Sequence, residues 1–152
     1  MISAVLFTVR GTPRPQPRPR FVNGRAVSTI SRLAKLWRNA VKRGAAEALA
    51  AHGNPNWLQG PVLVTITAYF QTRKPARHGQ AHAVRPDSDN IAKLALDAMQ
   101  DAGLLPMGDQ QVAELFIQKL WGPQSFMIVL VRPAPTRPMQ QPTPAPGWLA
   151  EG

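Results

Sequence analysis

Cysteine is missing from all 152 residues, and its absence excludes disulfides, thiolate zinc centres and cysteine nucleophiles. It also suits a reducing cytosol. Long apolar runs are missing as well, since none approaches the roughly 20 residues that a membrane helix needs. The run from Met1 to Arg10 has no basic leader and no small-residue cleavage pattern, so no signal peptide is expected. A soluble, cytoplasmic protein without a membrane partner follows as the expectation. Acids are the third scarcity: eight Asp and Glu stand against eighteen Lys and Arg, a net charge of +10 and an isoelectric point near 11.5. A domain this basic meets a polyanion, most often nucleic acid.

The few acids are not scattered. Ten basic residues fall between Arg10 and Arg43, and no acid precedes Glu47. Six of the eight acids (Asp87, Asp89, Asp97, Asp101, Asp109 and Glu114) fall between 87 and 114. A protein that only binds phosphate gains nothing from such grouping, because the acids repel its ligand. The grouping makes sense if a divalent cation sits between acids and DNA.

The chain is long enough for one domain with a real core. Residues 2–9 (ISAVLFTV) are β-branched and apolar and read as a strand. Gly11 to Arg20 (GTPRPQPRPR) alternates proline with arginine, which forbids helix and central strand and predicts an extended arm. Ser28, Thr29 or Ser31 caps a helix running to about Ala51, stopped by Gly53 and Pro55. Its apolar stripe is Ile30, Leu33, Trp37, Val41, Ala45 and Leu49. Val62 to Phe70 is the clearest strand. Residues 71–86 are polar and basic and read as a mobile loop. A second helix runs from Asp89 to about Ala102, with Gly103 as its stop. Gln111 to Leu120 and Ser125 to Val131 read as strands joined by a turn at Gly122–Pro123. From Pro133 onward the chain is proline-rich and predicted to be a disordered tail. The expected fold is α/β (α+β), with one domain over 1–132 and a mixed sheet flanked by two helices in the order β-α-β-α-β-β.

The chemistry gathers at Arg85-Pro86-Asp87-Ser88-Asp89-Asn90-Ile91-Ala92-Lys93, with Asp97 and then Gly108-Asp109-Gln110-Gln111-Val112 beyond it. In an extended stretch Asp87 and Asp89 face one side, while Asp89, Lys93 and Asp97 follow one helical stripe. Carboxylates without cysteine, and with only three histidines, suit a hard cation such as Mg²⁺ or Mn²⁺, and phosphodiester cleavage uses such ions. The plainer account is that Asp87 and Asp89 cap a helix, Lys93 makes surface pairs and Asp109 sits in a turn. Each of these alone is commoner than catalysis; the acidic grouping in a +10 chain argues against all of them together.

The string Pro86-Asp87-Ser88-Asp89-Asn90-Ile91-Ala92-Lys93, with Leu96-Asp97-Ala98-Met99, Gly108-Asp109-Gln110-Gln111-Val112 and Lys119, resembles the core pattern of the RusA-type Holliday junction resolvases. The arm from Gly11 to Arg20 resembles the Gly-x-Pro…Arg-x-Arg arm of phage-type members, and the likeness spans roughly residues 5–131. The resemblance implies a homodimer that cuts four-way DNA junctions with Mg²⁺ or Mn²⁺ and needs no small-molecule cofactor. It implies Asp87, Asp89 and Asp109 as metal-binding carboxylates and Lys93 as the catalytic lysine, with Asn90 and Asp97 in support. One departure stands out: many members carry two acids where this chain has Gly108-Asp109.

Further basic residues are expected at the DNA: Arg14, Arg18, Arg20 and Arg25 along the arm, and Arg73, Lys74, Arg77 and Arg85 beside the acids. His78 and His82 are expected to face solvent or phosphate rather than a metal. Trp37 is expected in the core or at a dimer interface, and Trp57 and Trp121 in packing rather than against DNA bases. Two other functions compete with the resolvase reading: a broader flap or branched-DNA endonuclease, and a basic DNA-binding module in which the acids are structural.

Overall fold

Alternation decides the first strand. The structure, a computed structural model, describes residues 3–27 and 30–140. In it Val5, Phe7 and Val9 turn inward while Leu6, Thr8 and Arg10 turn outward along β1 (Val5–Arg10). The arm follows without regular structure. A hairpin that the sequence reading passed over comes next, β2 (Arg20–Val22) against β3 (Arg25–Val27). Its turn is Asn23-Gly24, both with positive φ (52° and 74°), the combination a tight two-residue hairpin demands.

Helix α1 (Arg32–His52) starts at Ser31, whose hydroxyl accepts the Ala34 amide at 3.2 Å, and stops at Gly53, whose φ of 84° carries its N–H back to the Leu49 carbonyl. The alternative caps, Ser28 and Thr29, lie outside the described residues. The buried stripe is Ala34, Trp37, Val41 and Ala45. Leu33 was expected on that stripe, yet it is 54% exposed, because it faces a groove beneath the arm that Arg14, Pro15 and Pro17 help to line. Trp37 is in the core at 5% exposure.

Four strands make the main sheet in the order β1-β6-β4-β5, with β4 (Val62–Gln71), β5 (Val112–Gly122) and β6 (Phe126–Pro133). β4 and β5 are parallel, with α2 (Ser88–Asp101) between them in sequence, while β6 runs antiparallel to both β1 and β4. The turn at Gly122–Pro123 joins β5 to β6 but does not pair them. It passes over the end of β4, where Gly122 accepts the Thr72 amide at 2.9 Å and Ser125 Oγ accepts the Gln71 amide at 2.8 Å. The mixed sheet and two helices of a single α+β domain are therefore as the sequence predicted.

The helices cover one face. Val62, Val64, Ile66 and Ala68 of β4, Met127, Val129 and Val131 of β6, and Ile91, Leu94, Ala95, Ala98 and Met99 of α2 form the core. Truncating a buried leucine such as Leu94 to alanine in a core of this kind costs roughly 2–5 kcal/mol. The other face stays open, with Leu6 60% and Phe116 56% exposed. At one end the chain beyond β6 lies over that face: the Ala134 amide donates to the Pro61 carbonyl, and Arg137 pairs with Glu114 at 2.7 Å. Of the proline-rich tail, residues 141–152 lie outside the described residues. No helix among the described residues is long and apolar enough to cross a membrane.

Candidate active site

Helix α2 organises the acids. Asp87 is its N-cap residue, in extended conformation, and Asp89 already lies in the first turn. The helix thus starts at Ser88, one residue earlier than predicted, and the two carboxylates do not share an extended segment. Asp87 makes no capping hydrogen bond. Its carboxylate instead meets Arg18 of the arm at 3.6 Å, so the structural role that would most simply explain an aspartate here is unused. Asp89 is exposed, and no ion pair engages it among the described residues.

Lys93 bridges the remaining acids. Its Nζ lies 3.2 Å from Asp97 and 3.5 Å from Asp109. The stripe Asp89-Lys93-Asp97 is therefore used only in its second half. The hydrogen bond and charge of Asp97 come first, and Asp109 adds to them, in raising the Lys93 ammonium above its ordinary value. The shift favours the cationic form, which can hold an anion.

Asp109 owes its position to two neighbours. Gln111, 7% exposed, donates from Nε2 to the carbonyls of Leu58 and Gly60 at 2.8 and 2.9 Å and accepts the Met107 amide at 2.8 Å. These three bonds tie the loop ahead of β5 to the segment ahead of β4. Gly108 has φ 90° and ψ 176°, a region open essentially to glycine alone, and a Cβ there would run into the Gln110 side chain. The missing second acid thus has a backbone cause. Gly108→Asp is expected to lower stability by about 1–3 kcal/mol without raising affinity for Mg²⁺, as chemical denaturation and titration calorimetry would record.

The approach to α2 is held from below. The predicted mobile loop, residues 71–86, is ordered against the edge of β5: Gly79 donates to Trp121, Trp121 to Gln80 and His82 to Lys119. The reason is non-local, since β5 has a free edge there and the loop supplies its partner. Lys119 Nζ then donates to the carbonyls of Val84 and Pro86, both at 2.7 Å. These bonds tie down the residues immediately before Asp87. Lys119 belonged to the sequence pattern, but nothing in its spacing announced this task.

His82 corrects an expectation. It is 5% exposed, stacked on Phe70 with ring centres 4.1 Å apart and tilted against Trp121 at 4.2 Å. Trp121 is thus used in packing, as is Trp57, which meets His52 edge-on at 6.1 Å. Burial first, and the Lys119 charge second, hold the His82 imidazole below its ordinary value of 6.5, and its Nδ1 has no hydrogen-bond partner among the described residues. The unfolded chain therefore binds this proton at a higher pH than the folded one. The contribution of His82 to stability is complete above pH 6.5 and is lost as pH falls below it towards the depressed value. Urea unfolding at descending pH should show that loss, and His82→Phe should flatten it.

The basic residues divide into two groups. Arg14, Arg18 and Arg85 stand around Asp87: Arg18 through its ion pair, and the other two in the wall of a cavity that Asp87 also lines. Arg20 and Arg25 are exposed on the hairpin, and Arg73, Lys74 and Arg77 are exposed around a single turn at Pro75–Arg77. None of these five pairs with Asp87, Asp89 or Asp109 among the described residues.

Oxygen-only donors suit a hard cation. Among the described residues no three of His, Cys, Asp and Glu are gathered to share one ion. The residues do not form an all-protein cage; they fit an ion held by one or two carboxylates and completed by water and substrate phosphate, as Mg²⁺ commonly is.

Acids and a paired lysine along one helix of a basic α+β domain suit contact with a phosphodiester. The chain belongs to the RusA family of endodeoxyribonucleases, whose family model matches residues 10–132. A comparison with curated protein sequences finds no match.

Proposed function

We propose that this chain is a metal-dependent endonuclease that resolves Holliday junctions and related branched DNA in recombination and repair. The observation that carries the proposal is that Asp87 and Asp89 open α2 while Lys93, on the same helix, pairs with Asp109, in a member of an endodeoxyribonuclease family. In this reading Asp87, Asp89 and Asp109 are the carboxylates open to the metal, one or two of them binding it directly with water and substrate phosphate completing its shell, and Lys93 holds the scissile phosphate while Asp97 steers it. Bound Mg²⁺ or Mn²⁺ supplies a more acidic water and neutralises charge on the phosphate. Arg18, which pairs with Asp87 in the free protein, passes to a DNA phosphate when the substrate arrives. The exposed ion pairs at Asp87 and Asp109 are weak enough to give way.

Cutting should appear with Mg²⁺, return with Mn²⁺ and vanish in EDTA; cutting indifferent to EDTA would contradict the reading. Arg14, Arg18 and Arg20 are assigned to the DNA backbone. Replacing all three by alanine should flatten the slope of log affinity against log salt by about 0.9 per contact, roughly 2.7 in all. An unchanged slope would remove the arm from the DNA.

Paired incisions need two sites, and each chain carries one, so the working form in this proposal is a symmetric homodimer. The exposed Leu6 and Phe116 on the open sheet face support self-association. Light scattering should give about twice the 16.6 kDa of one chain. A DNA substrate and the absence of cysteine support a cytoplasmic setting.

A further inference from the structure

Between the arm and the start of α2 lies a cavity of about 420 Å³, within the roughly 300–1,000 Å³ of pockets that take a single small ligand. Its walls are set from both ends. The Gly11 amide donates to the Ser125 carbonyl at 3.1 Å, and the Gln16 amide donates to the Asn90 carbonyl at 2.9 Å, so the arm is fixed on both sides of the opening.

The lining is of three kinds. Phe70, whose other side is stacked on His82, and the rings of Pro13, Pro15 and Pro86 give apolar surfaces. Arg14 and Arg85 bring two cations. Asn90 brings an amide that both donates and accepts, with no side-chain partner among the described residues, and Asp87 forms part of the same wall. Apolar faces for a flat ring, a two-way amide for its edge and cations for the flanking phosphates are together the requirements of a nucleotide. A paired base has its edge and both faces covered, so only an unstacked one can use all three.

We infer that this cavity receives one unstacked nucleotide of the DNA strand that runs past the start of α2. The inference rests on the nuclease reading for its substrate and deepens it: the cavity selects where the strand is cut. Branch points are where unstacking costs least, so a cavity of this kind beside the acids favours cutting at a branch over cutting in continuous duplex. Asn90 reads the base edge, as asparagine does elsewhere in DNA recognition, and Asn90→Asp should change the order in which the four bases are preferred at that position.

The test uses a four-way junction with 2-aminopurine placed at each position around the cut in turn, saturated with the full chain in EDTA, with nicking by the same preparation in Mg²⁺ followed in parallel. A several-fold rise in fluorescence at one position, lost in Thr12→Trp, which fills the cavity from the exposed side of the arm, is the expected result. Should Thr12→Trp not fold by circular dichroism, Pro15→Trp blocks the same opening. No rise, an equal rise at every position, or a rise that persists in the filled variant at unchanged affinity overturns the inference while leaving the nuclease reading intact. A localised rise without nicking in Mg²⁺ or Mn²⁺ leaves the cavity assignment standing and overturns the nuclease reading; failure to bind the junction at all overturns both.

Discussion

Asparagine in place of Asp87, Asp89 or Asp109, one at a time, is expected to lower junction cutting by at least ~10²-fold while DNA binding holds or tightens. The asymmetry follows from charge. Asparagine keeps the size of the side chain and one oxygen, so nothing that packs is lost. Asp87 and Asp109 are about half exposed, at 47% and 44%, and Asp87 does not cap its helix, so the fold does not depend on either carboxylate. Removing a negative charge from a surface that meets phosphate lowers repulsion. Only a role in holding the cation predicts the loss of cutting alone. Variants that cut at the rate of the wild type would show that these acids are structural and that the basic surface is a binding module.

The second large effect is expected at Lys119, which touches no carboxylate of the site. Lys119→Met keeps the length of the side chain but removes the donor shared by the Val84 and Pro86 carbonyls. Hydrogen bonds to a charged group contribute roughly 1.5–3 kcal/mol, so the segment entering Asp87 loosens. Groups that orient a metal ligand from behind are worth ~10–100-fold in activity or metal affinity, and the cutting rate should fall by that factor with junction affinity little changed. A further readout separates positioning from general destabilisation. The Lys119 charge helps to depress His82, so the imidazole should titrate nearer its ordinary value in the variant, visible by NMR. An unchanged rate in a variant that folds like the wild type would mean that the two carbonyl bonds do not hold the site.

Much of the site was legible because it is local. The acids of α2, Lys93 and Asp109 stood out by spacing in a chain otherwise nearly free of acids, and the Lys93–Asp109 pair joins two of the segments that held them. The fold followed from the strand at Val62 to Phe70 and two helices with clear stops. What escaped was decided elsewhere in the chain. The loop before Asp87 looked mobile because its order comes from β5, whose Trp121 exchanges backbone bonds with Gly79 and Gln80. His82 looked exposed because Phe70 and Trp121, which enclose it, come from two separate strands. Leu33 looked like core because helical period cannot show that its side of the helix faces an open groove rather than the sheet. One miss was avoidable: Asn23-Gly24 is a strong hairpin signal, and it was hidden only by the prolines before it.

The most direct measurement is product mapping on a labelled four-way junction and the matching linear duplex, each incubated with the protein in Mg²⁺. Symmetric nicks in opposite strands of the junction, with the duplex left intact, are the predicted result. Equal cutting of the duplex would reduce the protein to a general nuclease, and a saturated junction with no nick in Mg²⁺ or Mn²⁺ would contradict the account outright.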